Sequence, residues 1–253
     1  MIGNLLNNPI EFLQTLALRL PAVLIAICMH ESAHAWMANR CGDPTGKLYG
    51  RISLNPMRHF DLVGMLFMFF IGFGWAKPVP VNPMNYRNYR RDDLKVSLAG
   101  IITNLLIALV SVIGICIFFT CAFISFKGMY YLEESDVVWY QAVFWNPLLV
   151  ADIYGTIPGY LYQILCYMAT VNLSLAIFNL IPLPPLDGYH VLNDLVLKRP
   201  LFADQRATMT GYSILMFLMI TGWLSDGINF VFRYITNGIA VAAYWIVSVL
   251  GVI

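Results

Sequence analysis

The chain has 253 residues, 59% of them hydrophobic and 11% charged, with a formal net charge of +1. An ordinary soluble domain carries about 25% charged residues, so this is the composition of a membrane protein, and near-neutrality excludes nucleic-acid binding by bulk electrostatics. The five cysteines, Cys28, Cys41, Cys116, Cys121 and Cys166, lie mostly in apolar segments with no Cys-x-x-Cys pair, which speaks against a disulfide framework or a thiolate zinc site and for small core residues.

The opening, MIGNLLNNPIEF, lacks the basic region of a removable signal peptide, so the first apolar span, residues 12 to 39, is expected to stay in the mature protein. Near its end stands His30-Glu31-Ser32-Ala33-His34, directly after the uncharged run LPAVLIAICM. In a helix, His30 and His34 share one face and can reach one zinc ion, with Glu31 beside them as the working base of a metalloprotease. Cys41-Gly42-Asp43-Pro44 stops that helix, and Gly50 to Pro56 is expected as a short strand ending in a turn. Residues 62 to 76 are apolar but number only 15 and include three glycines, which suits a re-entrant segment better than a crossing.

Next comes Lys77-Pro78-Val79-Pro80-Val81-Asn82-Pro83. Its prolines hold it extended and remove donors from one edge, while Lys77, Val79 and Val81 keep theirs on the other. Longer spans are expected at about 96 to 124 and at 158 to 181, the second running into Pro182-Leu183-Pro184-Pro185-Leu186-Asp187-Gly188. Two final apolar segments cover 209 to 224 and 228 to 250.

If residues 62 to 76 dip in and return, the loops 40–61, 77–95 and 188–208 share one face and hold 12 of the 15 Lys and Arg residues. The positive-inside rule makes that face cytosolic and puts the N-terminus outside. His30, His34, Asn104 and Asp187 then fall at one depth near the cytosolic side. Two histidines leave a catalytic zinc in need of a third protein ligand, normally His, Glu or Asp, with a fourth position open to water. Asp187 is the best candidate: the proline run breaks the helix before it and Gly188 permits a sharp turn. Zinc at +2 with Asp187 and Glu31 ionised also sums to zero at a depth where bare carboxylates are costly.

With His30-Glu31-x-x-His34, Asn179-Leu-Ile-Pro182-Leu-Pro184-Pro185-Leu-Asp187-Gly188 and Gly74-Trp75-Ala76-Lys77-Pro78-Val79-Pro80-Val81-Asn82 in this chain, it resembles the site-2 proteases, intramembrane zinc metalloproteases, and most of all their small bacterial members without PDZ or CBS domains. The resemblance covers residues 20 to 195. It implies one Zn2+ per chain on His30, His34 and Asp187, Glu31 as general base, and Asn179 near the active site. The family's Gly-Pro-x-x-Asn appears as Gly100-Ile101-Ile102-Thr103-Asn104, with Ile in place of Pro.

The expected fold is an all-α polytopic membrane protein: about five transmembrane helices plus a re-entrant segment with a short β-hairpin or strand near the active site. Residues 1–253 form one domain, with a catalytic core at about 12–195 and a C-terminal helical pair at 209–250. The expected function is hydrolysis of peptide bonds within or next to transmembrane segments, in a bacterial inner membrane, on a single-span protein or a remnant signal peptide. Asn104 or Asn179 would serve the oxyanion or a substrate carbonyl, and Lys77, Val79 and Val81 would pair with the unwound substrate. His59 and His190 are expected as interfacial or turn residues rather than ligands. A metalloprotease whose third ligand is a later Glu fits poorly, since Glu133 and Glu134 fall on the outer face. A non-enzymatic metal-binding or scaffolding membrane protein is the remaining alternative.

Overall fold

A computed structural model describes residues 8–61, 64, 77–129, 144–146, 148–198 and 205–249. Helix α1 (Pro9–Cys41) runs unbroken through the His-Glu-x-x-His motif. It stops where Gly42 takes φ +112° and the Asp43 N–H turns back to the Ala38 carbonyl, a backbone path open to glycine. After α2 (Thr45–Leu48) come two 3-10 turns, Pro56–Arg58 and Pro83–Asn85. Each is capped by the preceding asparagine, Asn55 or Asn82, whose side chain accepts the N–H two residues on.

Helix α3 (Tyr89–Met129) follows, then α4 (Leu148–Tyr154), α5 (Thr156–Asn179) and α6 (Asp187–Val191), which continues as a π-helical stretch, Leu192–Leu197. Helices α7 (Gln205–Ile220) and α8 (Trp223–Val249) end the described chain.

Three segments are long and apolar enough to cross a bilayer: Phe12–Cys41, Tyr89–Cys121 and Thr156–Asn179. They pack on one another pairwise. Their close contacts use small residues, as with Ala22 and Ala26 of α1 against Val171 of α5, because apolar bulk gives no driving force between helices in lipid and close backbone approach supplies it instead. Toward the other end, Ile115, Phe119, Phe144 and Tyr162 form a larger cluster that α8 completes with Ala240 and Ala243. Leu106, Leu109, Val110 and Ile117 of α3 stay exposed, as suits a lipid-facing stripe.

Three expectations are corrected or fall outside the described residues. The C-terminal segments do not pass as two spans: α7 and α8 meet at 73° across Thr221-Gly222 and pass together as at most one, so the described residues hold three or up to four candidate spans, against about five expected for the chain. Helix α7 has 16 residues, about 24 Å at 1.5 Å per residue, against a hydrocarbon core of about 30 Å. Nor is there a strand among the described residues at 50–56 or 77–82; Phe60 alone makes an isolated bridge. Ladder pairing goes no further than the main-chain bond from Lys77 N–H to His59 O, because the Ser53 carbonyl is taken by Ser32 and His59 side chains and the N–H groups of Val79 and Asn82 bond to the Glu31 and Asp43 carboxylates. The re-entrant reading of 62–76 lies outside the described residues, apart from Gly64.

The loops at this end converge on Asp43, which is fully buried. Its carboxylate accepts from the Asn82 N–H at 2.7 Å, the Asn85 amide at 2.8 Å, the Thr45 N–H at 3.1 Å and the Thr45 hydroxyl. Burial pushes its pKa up, but these donors outweigh burial and hold it below its ordinary 3.8. A depressed folded pKa means stabilisation present above the unfolded value and lost as pH falls through the folded one. Asp43→Ala is therefore expected to cost about 2–4 kcal/mol near neutral pH, since it strands several buried donors. That difference from wild type should shrink below pH 3.8; thermal melts of both proteins in detergent at pH 7 and at acid pH check it, and an equal penalty at both would contradict the ionised-carboxylate account.

Candidate metal centre

The motif spacing does locally what helix geometry dictates. His30 and His34, one turn apart on α1, turn their Nε2 atoms to within 3.0 Å of each other, and Asp187 Oδ2 lies 3.3 Å from each. Donor atoms around a tetrahedral zinc with bonds of about 2.0–2.1 Å stand about 3.3 Å apart, so the three atoms fit one ion. Asp187 Oδ2 is also buried with no hydrogen-bond donor, a costly state for a carboxylate oxygen that a cation relieves. These three residues form the one His/Cys/Asp/Glu group with metal-binding spacing among the described residues.

Asp187 reaches the histidines because it opens α6, directly after the proline run that ends α5. Gly188 then acts by close approach rather than by a turn. A Cβ there would lie 2.3 Å from the Leu180 carbonyl oxygen, so only glycine lets α6 press back onto the end of α5. From the other side, His190 Nδ1 donates to Asp93 Oδ2 at 2.8 Å, tying α6 to α3. That hydrogen bond raises the His190 pKa above its ordinary value.

Both imidazoles are oriented from behind by α3. His34 Nδ1 donates to the Val96 carbonyl at 2.8 Å, and the Asn104 side-chain amide stands 3.2 Å from His30 Nδ1. With Nε2 turned to the metal, His30 Nδ1 carries the hydrogen, so the amide must present its oxygen; the same orientation gives the buried, unpartnered Asn104 Oδ1 its donor. The geometry thus supports Asn104, itself fully buried, as the group that fixes the His30 ring. Between these two contacts lies Gly100, where a Cβ would sit 2.5 Å from His34 Nε2 and 2.6 Å from His30 Cε1. The space in front of the histidines exists because that position has no side chain.

Glu31 points to the loop side, where its Oε2 accepts the Val79 N–H at 3.2 Å. Of the three donors expected to face a substrate, Lys77 N–H bonds to the His59 carbonyl at 2.8 Å and Val79 N–H to Glu31, while Val81 N–H has no partner among the described residues. Asn179 directs its Nδ2 to the Leu175 carbonyl of its own helix at 3.0 Å. His59 is fully buried and bonds through Nε2 to the Ser53 carbonyl at 2.7 Å, away from the metal ligands. Val96 acts through its backbone and Gly100 through a missing atom, so no side chain in the sequence announces either role. Arg51, which grips the same loops, lies well beyond the motif in sequence, and its main partners are distant along the chain.

The model of "Peptidase family M50" matches residues 19–221. "Putative zinc metalloprotease YwhC" of Bacillus subtilis is 33% identical over 199 residues, 79% of this chain and 78% of the relative. "Putative zinc metalloprotease Rip2" of Mycolicibacterium smegmatis is 24% identical over 219 residues, 85% of this chain and 71% of the relative. No solved structure matches. With a family match over most of its length and three ligands gathered at one end of a membrane-type helical bundle, the chain belongs to peptidase family M50, as a zinc metalloprotease with a His30-His34-Asp187 metal site.

Proposed function

We propose that this chain is an intramembrane endopeptidase that hydrolyses peptide bonds within or next to the transmembrane segment of a single-span protein or a remnant signal peptide. The supporting observation is that His30 and His34, carried by one helix long enough to cross a bilayer, meet Asp187, which follows the end of another, with the Glu31 carboxylate on the same helix as the histidines and held by a backbone N–H. Held by His30, His34 and Asp187, a zinc ion would supply Lewis acidity, making a water easier to deprotonate and a carbonyl easier to attack. Glu31 takes the water's proton and returns it to the leaving nitrogen. The Val79 N–H fixes Oε2 and leaves Oε1 for that proton. His34 and His30 are held in the metal-binding tautomer by Val96 O and Asn104, so the site needs little reorganisation as charge develops.

A transmembrane helix hides its peptide bonds in intrahelical hydrogen bonds, so the substrate must unwind before it is cut. The 77–82 segment supports backbone pairing with the unwound chain at Val81, whose N–H has no partner among the described residues and whose side chain is exposed. The basic loops support a cytosolic position for the site and an external N-terminus, and the Bacillus subtilis and Mycolicibacterium smegmatis relatives support residence in a bacterial inner membrane. The catalytic core would span about 12–195, with the 209–250 pair as an appendage, in keeping with the contact of α7 with α8 and of α8 with α5.

The test is a proteomic comparison of membranes carrying wild type or Glu31→Gln. A single-span protein should accumulate uncut in the variant; identical membrane proteomes in an expressing strain would defeat the proposal.

A further inference from the structure

Arg51 is a buried cation, 5% exposed, and no carboxylate lies within ion-pair distance of it among the described residues. Burying a guanidinium is costly unless its hydrogens are bonded. Here they bond to backbone carbonyls: Nη1 donates to Arg58 O and, at 3.1 Å, to Lys77 O, and Nη2 donates at 3.1 Å to Pro78 O. A planar fork with several fixed donors can span such a set, which a single ammonium cannot do as well. All three carbonyls belong to the two loops that flank Glu31.

The grip matters because of the residue after Pro78. Proline has no N–H, so the Lys77–Pro80 backbone can be held through Pro78 and Pro80 only by their carbonyls. Val79 is the next residue, and its N–H holds Glu31 Oε2. The Val79 side chain rests where α2 meets α1: a Cβ added at Gly46 would stand 3.2 Å from Val79 Cγ1 and 3.1 Å from Ala35 Cβ, and Ala35 is one helical turn beyond Glu31. The Val79 amide is therefore located by three contacts: the Arg51 fork behind it, the bare Gly46 beneath it and the Glu31 carboxylate ahead of it.

We propose that Arg51 is a positioning residue for the general base, holding the Lys77–Pro78 backbone so that the Val79 N–H fixes the Glu31 carboxylate. This rests on Glu31 being the base. None of Arg51's contacts involves His30, His34 or Asp187, so its role is separable from metal binding. A working carboxylate tolerates displacement of only about 0.5 Å, which is the scale on which a freed loop moves.

The experiment uses the full chain in detergent or vesicles, with zinc content by elemental analysis, hydrogen exchange of the 77–82 peptide, and kcat and KM on a single-span protein that wild-type membranes cut. Arg51→Met should keep one zinc per chain, speed exchange at the Val79 amide and lower kcat on the order of 10–100-fold, part of a general base's share, with KM changed less than about threefold. Arg51→Lys should recover part of the loss, since it keeps the charge but not the fork. Added to Glu31→Gln, Arg51→Met should cost no more than about twofold, because a residue acting only through that carboxylate then has nothing to position.

Multiplicative losses, a fall in zinc content, or normal kcat in Arg51→Met beside an inactive Glu31→Gln would overturn the proposal alone. Full turnover in Glu31→Gln would overturn the assignment of the base, and the proposal with it. Should Arg51→Met fail to fold, Arg51→Lys decides alone: a smaller kcat-specific loss with full zinc content and faster exchange at the Val79 amide is expected, and wild-type kcat with wild-type exchange refutes the positioning role.

Discussion

Glu31→Gln is expected to retain full zinc occupancy while turnover falls on the order of 10²–10⁴-fold, the range in which a positioned general base contributes. The side chains have the same length, and a glutamine carbonyl can still accept the Val79 N–H that now reaches Oε2. The three ligand atoms are untouched, since Nε2 of each histidine and Oδ2 of Asp187 come from other residues. What disappears is the capacity to take a proton and give it back. Elemental analysis of the purified variant beside a single-turnover assay separates the two quantities. Loss of zinc together with activity would show that Glu31 serves the metal site, and retained activity would show that another group is the base.

Gly100→Ala should have the opposite signature. A methyl group there would sit 2.5 Å from His34 Nε2, 2.6 Å from His30 Cε1 and 2.8 Å from His30 Nδ1, all closer than carbon packs against an imidazole. Neither ring can easily yield, because His34 is held by the Val96 carbonyl and His30 by Asn104. Zinc affinity is expected to fall by roughly 10²-fold or more, beyond the usual effect of disturbing an orienting partner. Intrinsic helix preference runs the other way, favouring Ala over Gly by about 1 kcal/mol, so a loss of metal with α3 still helical would identify the collision as the cause. Metal titration and circular dichroism of the same sample decide it; wild-type zinc affinity in Gly100→Ala would mean that the helices separate more easily than their packing implies.

Much of the centre was legible in the residues. The i, i+4 histidines and the intervening Glu31 follow from helical periodicity alone, and Asp187 stands out as a carboxylate placed behind a helix-breaking run in an otherwise apolar chain. The helices at 12–39, 96–124 and 158–181 were legible because each apolar run is long. Other readings failed for a shared reason. Extended segments at 50–56 and 77–82 look like strands from their prolines and alternation, yet their hydrogen bonds go to Ser32, His59, Arg51, Glu31 and Asp43, partners that local pattern cannot name. The C-terminal pair looked like two crossings because hydropathy is blind to a 73° bend.

By itself the sequence determined the three long apolar helices and the His30-His34 pair with Glu31 beside it, since these depend on composition and on spacing along one helix, and it singled out Asp187 as a carboxylate behind a helix-breaking run. Only the tertiary structure decided that the Val96 carbonyl and Asn104 orient the histidines, that Gly100 clears the space before them, and that Arg51 reaches Glu31 through the backbone of Val79. Those roles belong to carbonyls, amides and an absent methyl group. Every residue carries the first two, so which of them acts is set by the approach of α3 and the loops to α1.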